Sequence, residues 1–344
     1  MQPNQNGAWG SGQMLKIRME EKMMINKKTI LAALMALVFA FALSACGDSA
    51  GGSDDQNNGG DAEAAKELPM EISQEDWNDH RETVDLSTGI TMAYVEMGDP
   101  EGKPLVLVHG MTDNSRTWSL IAPYFTKAGY HVYIIDDRGH GQTDKPSGFY
   151  TVDDYAEDVA AFMEAKGIEK ADIIGHSLGS MTMQAFLLLY PEKCNHVVLE
   201  STAPVNVDAL TTYYYEYGKS LGKDGHPDDQ FMKDWYTDAQ PVDEEYKQHE
   251  MEESQALTGA NWESIAGGIA FANMDPFYQY LDDSVPVLIL WGTADGFFGT
   301  KEIQKQNQKN IPFAEVIKYK GNGHNIQVEI PEQMANDCIE FFNK

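Results

Sequence analysis

Short stretches of the chain alternate polar with apolar residues, or run apolar without a break. They are Thr83–Leu86, Ile90–Met97, Pro104–His109, His131–Asp136, Lys170–Ile174, His196–Glu200, Val285–Trp291 and Phe313–Lys318. Leu105–Val108, Val132–Ile135, Ile173–Ile174 and Val287–Leu290 are near-continuous apolar runs, the pattern of strands covered by helices on both faces. Between them, apolar residues recur at helical spacing over Trp118–Ala128, Val152–Lys166, Leu178–Tyr190, Lys301–Asn310 and Pro331–Phe342. Pro331 suits a first turn, where its missing N–H is no loss. Strands alternating with helices predict an α/β fold, with a mostly parallel central sheet flanked by helices. The first two strands read as an antiparallel hairpin at one edge. Residues 204–284 break the rhythm: they show helix-like stretches rich in Tyr, Trp and acids but no strand runs. They predict a helical cap inserted between two sheet strands of a single domain, residues 67–344.

The first 66 residues follow a different pattern. Lys27 and Lys28 precede the apolar run Ile30–Leu43, which is short for a bilayer span and reads as a secretory signal. The run ends in Leu43-Ser44-Ala45-Cys46-Gly47, which resembles the lipobox of bacterial lipoproteins. That resemblance implies cleavage before Cys46, a lipid on its thiol, and a protein anchored on the extracytoplasmic face of a membrane. An ordinary secretory signal and an uncleaved anchor are the alternatives. Residues 1–45 are then an upstream segment and signal. Residues 46–66, mostly Gly, Asp, Ser and Asn beyond the cysteine, form a flexible tether.

Charge narrows the partners. Asp plus Glu number 54 against 25 Lys plus Arg, a formal charge of −29. Phosphate contacts need clustered bases, so nucleic acid is excluded as a partner. An anionic membrane would repel the chain, so any membrane attachment has to come from something other than electrostatics. Three cysteines rule out a disulfide-dense scaffold and a four-thiolate zinc site. Cys194 and Cys338 lie in stretches that read as packed, where a buried thiol is expected; a disulfide between them is the alternative.

The chemistry centres on Gly175-His176-Ser177-Leu178-Gly179, placed between the predicted strand ending at Ile174 and the predicted helix from Leu178. A strand turning directly into a helix forces the residue between them into strained backbone angles. It also presents that residue's side chain at a helix N-terminus, where the dipole favours a developing anion. A nucleophilic serine needs a base and an orienting acid. His324, in Gly321-Asn322-Gly323-His324-Asn325, follows the last strand and suits the base better than His109, His140 or His176. Asp295 falls just past the carboxyl end of the strand that ends at Trp291, where open α/β sheets put their ligand sites.

The order Ser177, Asp295, His324, together with the serine elbow, resembles the α/β-hydrolase fold family over residues of about 83 to 342. Val108-His109-Gly110-Met111 resembles the family's oxyanion segment, which implies that the backbone N–H groups of Met111 and Leu178 hold the oxyanion. Asp136-Asp137-Arg138-Gly139-His140-Gly141-Gln142-Thr143 resembles a loop that ties the fold together, with Arg138 as a structural charge partner. Family branches that use Asp at the elbow are excluded by Ser177. The resemblance implies a serine hydrolase acting on small-molecule carboxylic esters, with no cofactor and no metal. A perhydrolase with the same triad and a non-catalytic ligand-binding lipoprotein are the alternatives. The cap carries seventeen acids against four lysines, a balance expected to favour neutral substrates. Its aromatic residues Tyr213, Tyr214, Tyr215, Trp235, Tyr236, Trp262, Phe271 and Phe277 are candidates to roof the pocket or to bind the cap to the body.

Overall fold

The computed structural model describes residues 67–206 and 209–344. The expected signal, Cys46 and the tether lie outside them. Leu68–Lys344 form one compact unit. Its centre is an eight-stranded sheet in the order β1-β2-β4-β3-β5-β6-β7-β8. The strands are β1 Arg81–Asp85, β2 Thr91–Gly98, β3 Lys103–Val108, β4 Tyr130–Ile135, β5 Ala171–His176, β6 Cys194–Glu200, β7 Val287–Gly292 and β8 Glu315–Tyr319. β2 pairs antiparallel with both β1 and β4, and every other pairing is parallel. The carboxyl ends of β3 and β5 to β8 therefore meet at one edge of the sheet, where ligand sites of such sheets form.

The apolar runs are buried because both faces are covered. Leu105, Leu107, Val132, Ile134, Ile174, Val198, Leu288 and Leu290 point into one core with Trp118, Phe125, Met334, Cys338, Phe341 and Phe342. By the strand period of two, the intervening residues face the opposite layer. There Tyr94 and Tyr133 meet Phe162 of the helix Val152–Ala165 edge-on. That helix starts at a capping box, Thr151 with Asp154. Cys194 and Cys338 are both free and buried, as packed thiols.

One expected helix is split. Ser115–Trp118 is a 3-10 turn capped by the Asn114 side chain, and an α-helix runs only from Ala122 to Lys127. Pro123 explains the break: it has no N–H to give to a preceding turn, so a helix can hold it only near its start.

Between β6 and β7 the described residues form four α-helices, Ala209–Leu221, Asp229–Trp235, Glu244–Gln255 and Gly259–Ala270, followed by a 3-10 turn at Tyr278–Tyr280. This cap is seated by buried charges. Glu253 takes Arg81 at 2.8 Å and Arg116 at 2.5 Å, and Asn114 Nδ2 donates to Glu250 Oε1 at 3.3 Å. Both arginine side chains are buried. Arg81 also has Asp136 at 3.4 Å, whereas losing Glu253 would leave the Arg116 charge without a carboxylate partner among the described residues, which costs several kcal/mol. Trp262, fully buried, anchors the cap's own aromatic core with Trp235, Phe231 and Tyr217.

Candidate active site

Ser177 stands between β5 and the helix Leu178–Leu189 with φ at +51° and ψ at −111°. These angles are costly for a residue with a Cβ and persist only where the surroundings enforce them. The enforcement comes from close packing. A Cβ on Gly175 would lie 2.4 Å from the Gly179 carbonyl oxygen, and one on Gly179 would lie 2.3 Å from the Val108 oxygen. The two glycines let the helix start press against the end of β3, and the Gly179 N–H donates to His109 O at 3.0 Å. This contact brings the Leu178 amide beside the segment that carries Met111. Among the described residues neither of those two amides donates to a protein acceptor.

Asp295 lies three residues past β7. Its Oδ1 accepts from the amides of Phe297 at 2.7 Å and Phe298 at 3.0 Å. Its Oδ2 is 3.0 Å from Nδ1 of His324, with the approach bent away from a straight hydrogen bond. Burial alone would raise this carboxyl. The His324 ring and the two amides outweigh burial and hold it below the usual carboxylate range.

His324 follows β8 in a loop that the fold grips closely. Gly323 N–H donates to Glu329 Oε2 at 2.8 Å. The His324 carbonyl oxygen accepts from Ser201 Oγ at 2.6 Å and faces His176 Nε2 at 3.2 Å. Phe297 and Phe298 pack against the imidazole, with ring centroids 4.7 and 5.4 Å away. The pair that stands after Asp295 thus forms an aromatic wall beside the histidine.

Ser177, His324, Met111 and Leu178 border one cavity of about 70 Å³, which Met181, Ile269, Phe297, Tyr214, Trp235 and Tyr236 also line. The structure therefore brings four of the expected site residues to one small, largely apolar space, with Asp295 behind His324. Of the eight cap aromatics, only Tyr214, Trp235 and Tyr236 reach this space. Trp262 and Phe277 are buried, whereas Tyr213 and Phe271 are more than half exposed. Arg138 does not line it: its guanidinium pairs with Asp158 through Nε and, at 2.6 Å, through Nη2.

Two further groups at the cavity, Asp113 and His176, carry chemistry that the sequence pattern did not single out for the site, and Tyr236, expected only as an aromatic roof candidate, brings a hydroxyl. Beneath them Glu200, at the end of β6, is fully buried. Burial pushes its carboxyl up to about 7, against the pull of His176 and of the Gln327 amide. Their spacing in the chain carries no motif, and only the fold collects them.

A model of the α/β-hydrolase fold matches residues 103–331, and the chain belongs to that family. A non-heme chloroperoxidase from Streptomyces lividans is 28% identical over 281 residues, 75% of this chain and 98% of that protein. A protein described as an uncharacterized carboxylesterase from Bacillus subtilis is 27% identical, over 75% of this chain and 85% of its own. Among solved structures, a hydrolase from Pseudomonas aeruginosa superposes with a TM-score of 0.68 at 18% identity, covering 77% of this chain and 98% of its own.

Proposed function

We propose that the protein is a membrane-tethered serine esterase that hydrolyses small, neutral, partly apolar carboxylic esters. The observation that carries this reading is the pairing of His324 Nδ1 with Asp295 Oδ2 at 3.0 Å, beside a cavity that holds a serine in strained elbow geometry. The similarity to a carboxylesterase over three quarters of the chain supports the ester as substrate.

In this reading Ser177 Oγ attacks the ester carbonyl carbon while His324 Nε2, left available because Nδ1 faces Asp295, takes the serine proton. Asp295 stays ionised, orients the ring and stabilises the imidazolium. The amides of Met111 and Leu178 receive the oxyanion; each such donor is worth roughly 3 kcal/mol in the transition state. His324 then protonates the leaving alcohol, and a water deprotonated by the same nitrogen releases the acid and regenerates the serine.

A cavity of about 70 Å³ is small beside the roughly 300–1,000 Å³ of pockets for drug-sized ligands. It suits a short acyl group, and a larger one requires the cap to shift. For attachment, the run from Leu43 to Cys46 supports a lipid on Cys46, and two acyl chains give firm anchoring where one is marginal. Mass spectrometry of the membrane-fraction protein tests this: an unlipidated N-terminus refutes it.

The central experiment labels the full chain with a fluorophosphonate and runs a panel of p-nitrophenyl esters. Labelling at Ser177 and highest kcat/KM on acetate or propionate are expected. A wild-type protein that neither labels nor turns over any ester refutes the reading.

A further inference from the structure

The residue between the first glycine and the serine of the elbow is His176, which has its own line of contacts. Its Nε2 lies 3.2 Å from the carbonyl oxygen of His324. A carbonyl only accepts, so Nε2 carries the hydrogen. Its Nδ1 faces Asp113 Oδ2 at 3.5 Å. The other oxygen of that carboxylate, Oδ1, accepts from the Tyr236 hydroxyl at 3.0 Å, and Tyr236 comes from the cap. Gly110 keeps this meeting point open, since a Cβ there would sit 2.8 Å from both Asp113 Oδ2 and His176 Nδ1. A line of contacts thus runs from the cap, through Asp113 and His176, to the backbone of His324; its middle step, Asp113 to His176, is a close polar approach without a hydrogen bond.

We propose that His176 is a positioning residue, and that Tyr236 and Asp113 set it, so that a seated cap holds His324 in register with Ser177. The inference rests on the esterase reading and deepens it. His176 is covalently next to Ser177 and also grips the peptide of His324, so one side chain spaces the nucleophile from its base. Ser201 Oγ occupies the other side of the same carbonyl at 2.6 Å, which leaves that peptide little freedom to rotate. The imidazoles of His176 and His324 meet edge-on at 4.9 Å, so a turn of the first ring displaces the second. Stability alone does not account for the arrangement. All three side chains are more than nine-tenths buried, and apolar groups of the same shape would stabilise such a place at least as well as a buried polar set.

A displacement of the base by about 1 Å can cost up to roughly a hundredfold in rate while leaving ground-state binding nearly untouched. The test uses the full chain with Tyr236→Phe, Asp113→Asn and the double variant, measured on p-nitrophenyl acetate. Tyr236→Phe removes a single oxygen, so it remains informative if Asp113→Asn folds poorly. Each single change is expected to lower kcat about tenfold with KM within about twofold, and to slow fluorophosphonate labelling of Ser177 by the same factor. The double variant is expected to lose no more than the worse single one, because both act along one line.

Singles that keep wild-type kcat and labelling rate overturn the inference while the esterase reading stands. So do losses confined to KM, or losses that multiply in the double variant. A wild-type protein that does not label at Ser177 overturns both.

Discussion

Replacing Glu200 with Gln tests the electrostatics beneath the site. Glu200 is fully buried; its Oε1 accepts from Gln327 N–H at 2.9 Å, and its Oε2 has no hydrogen-bond partner among the described residues. Burial pushes the carboxyl up to about 7, against about 4.3 in an unfolded chain. For an acid raised in this way, the folded state holds its proton over a range where the unfolded state has lost it. Its contribution to stability is complete below about pH 4.3 and lost as pH rises through about 7. At 1.36 kcal/mol per unit, this one group costs the wild type about 3 kcal/mol between pH 5 and pH 8. Gln keeps the shape and the acceptor for Gln327 but carries no charge at any pH. The stability of Glu200→Gln relative to wild type should therefore improve by about 3 kcal/mol over that range. Asp137, which burial also pushes up to about 7, is common to both proteins and cancels. Urea unfolding at half-unit pH steps measures the gap. If the two stability curves run parallel from pH 5 to pH 8, the buried-carboxyl argument is wrong.

Ser177→Ala should lose essentially all ester turnover while its thermal melt stays close to wild type; more than about a tenth of wild-type kcat retained excludes Ser177 as nucleophile. Asp295→Asn should lower kcat roughly a thousandfold or more through a misdirected His324 ring, and an unchanged kcat removes Asp295 from the site. Gly179→Ala forces a Cβ to 2.3 Å from Val108 O; a destabilisation of about 3 kcal/mol is expected in denaturant melts, and a neutral result refutes the close approach. An ester with a carboxylate on its acyl chain should show a lower kcat/KM than its neutral analogue at low salt. That penalty should shrink as 0.1 M salt cuts the field to about 10 Å, and a salt-independent ratio assigns the discrimination to contact rather than to the acidic cap.

The inner strands of the sheet were legible because they are buried on both faces, whereas the edge strands β1 and β8 are not. Burial on both faces favours long apolar runs, so Leu105–Val108 and Val287–Leu290 declared themselves. The elbow was legible because Gly175 and Gly179 answer a steric demand that no other residue meets. Asp295 and His324 could be placed because each comes after a strand that could itself be read. The split of the 118–128 helix had a visible cause in Pro123, but a periodicity reading passes over it. Asp113, His176, Glu200 and Tyr236 were illegible as a group for a different reason. They come from the loop after β3, the end of β5, the end of β6 and the cap. Their meeting depends on parallel pairing that sets strand ends side by side, and no spacing along the chain encodes that.

In the proposed esterase, the composition of the cavity lining also bears on the release of product. Its wall includes one carboxylate, Asp113, and neither lysine nor arginine, under a cap with seventeen acids and four lysines. In the proposed reaction a neutral ester enters such a chamber uncharged, whereas the acid formed from it, with a carboxyl that ionises at about pH 4 to 5, is already charged at neutral pH. Product and substrate then differ most in the property the chamber discriminates: the same wall that tolerates the reactant evicts the product. For an esterase built this way, accumulated acid is a weak inhibitor, and reversal by acid and alcohol is held off by electrostatic repulsion as well as by the excess of water.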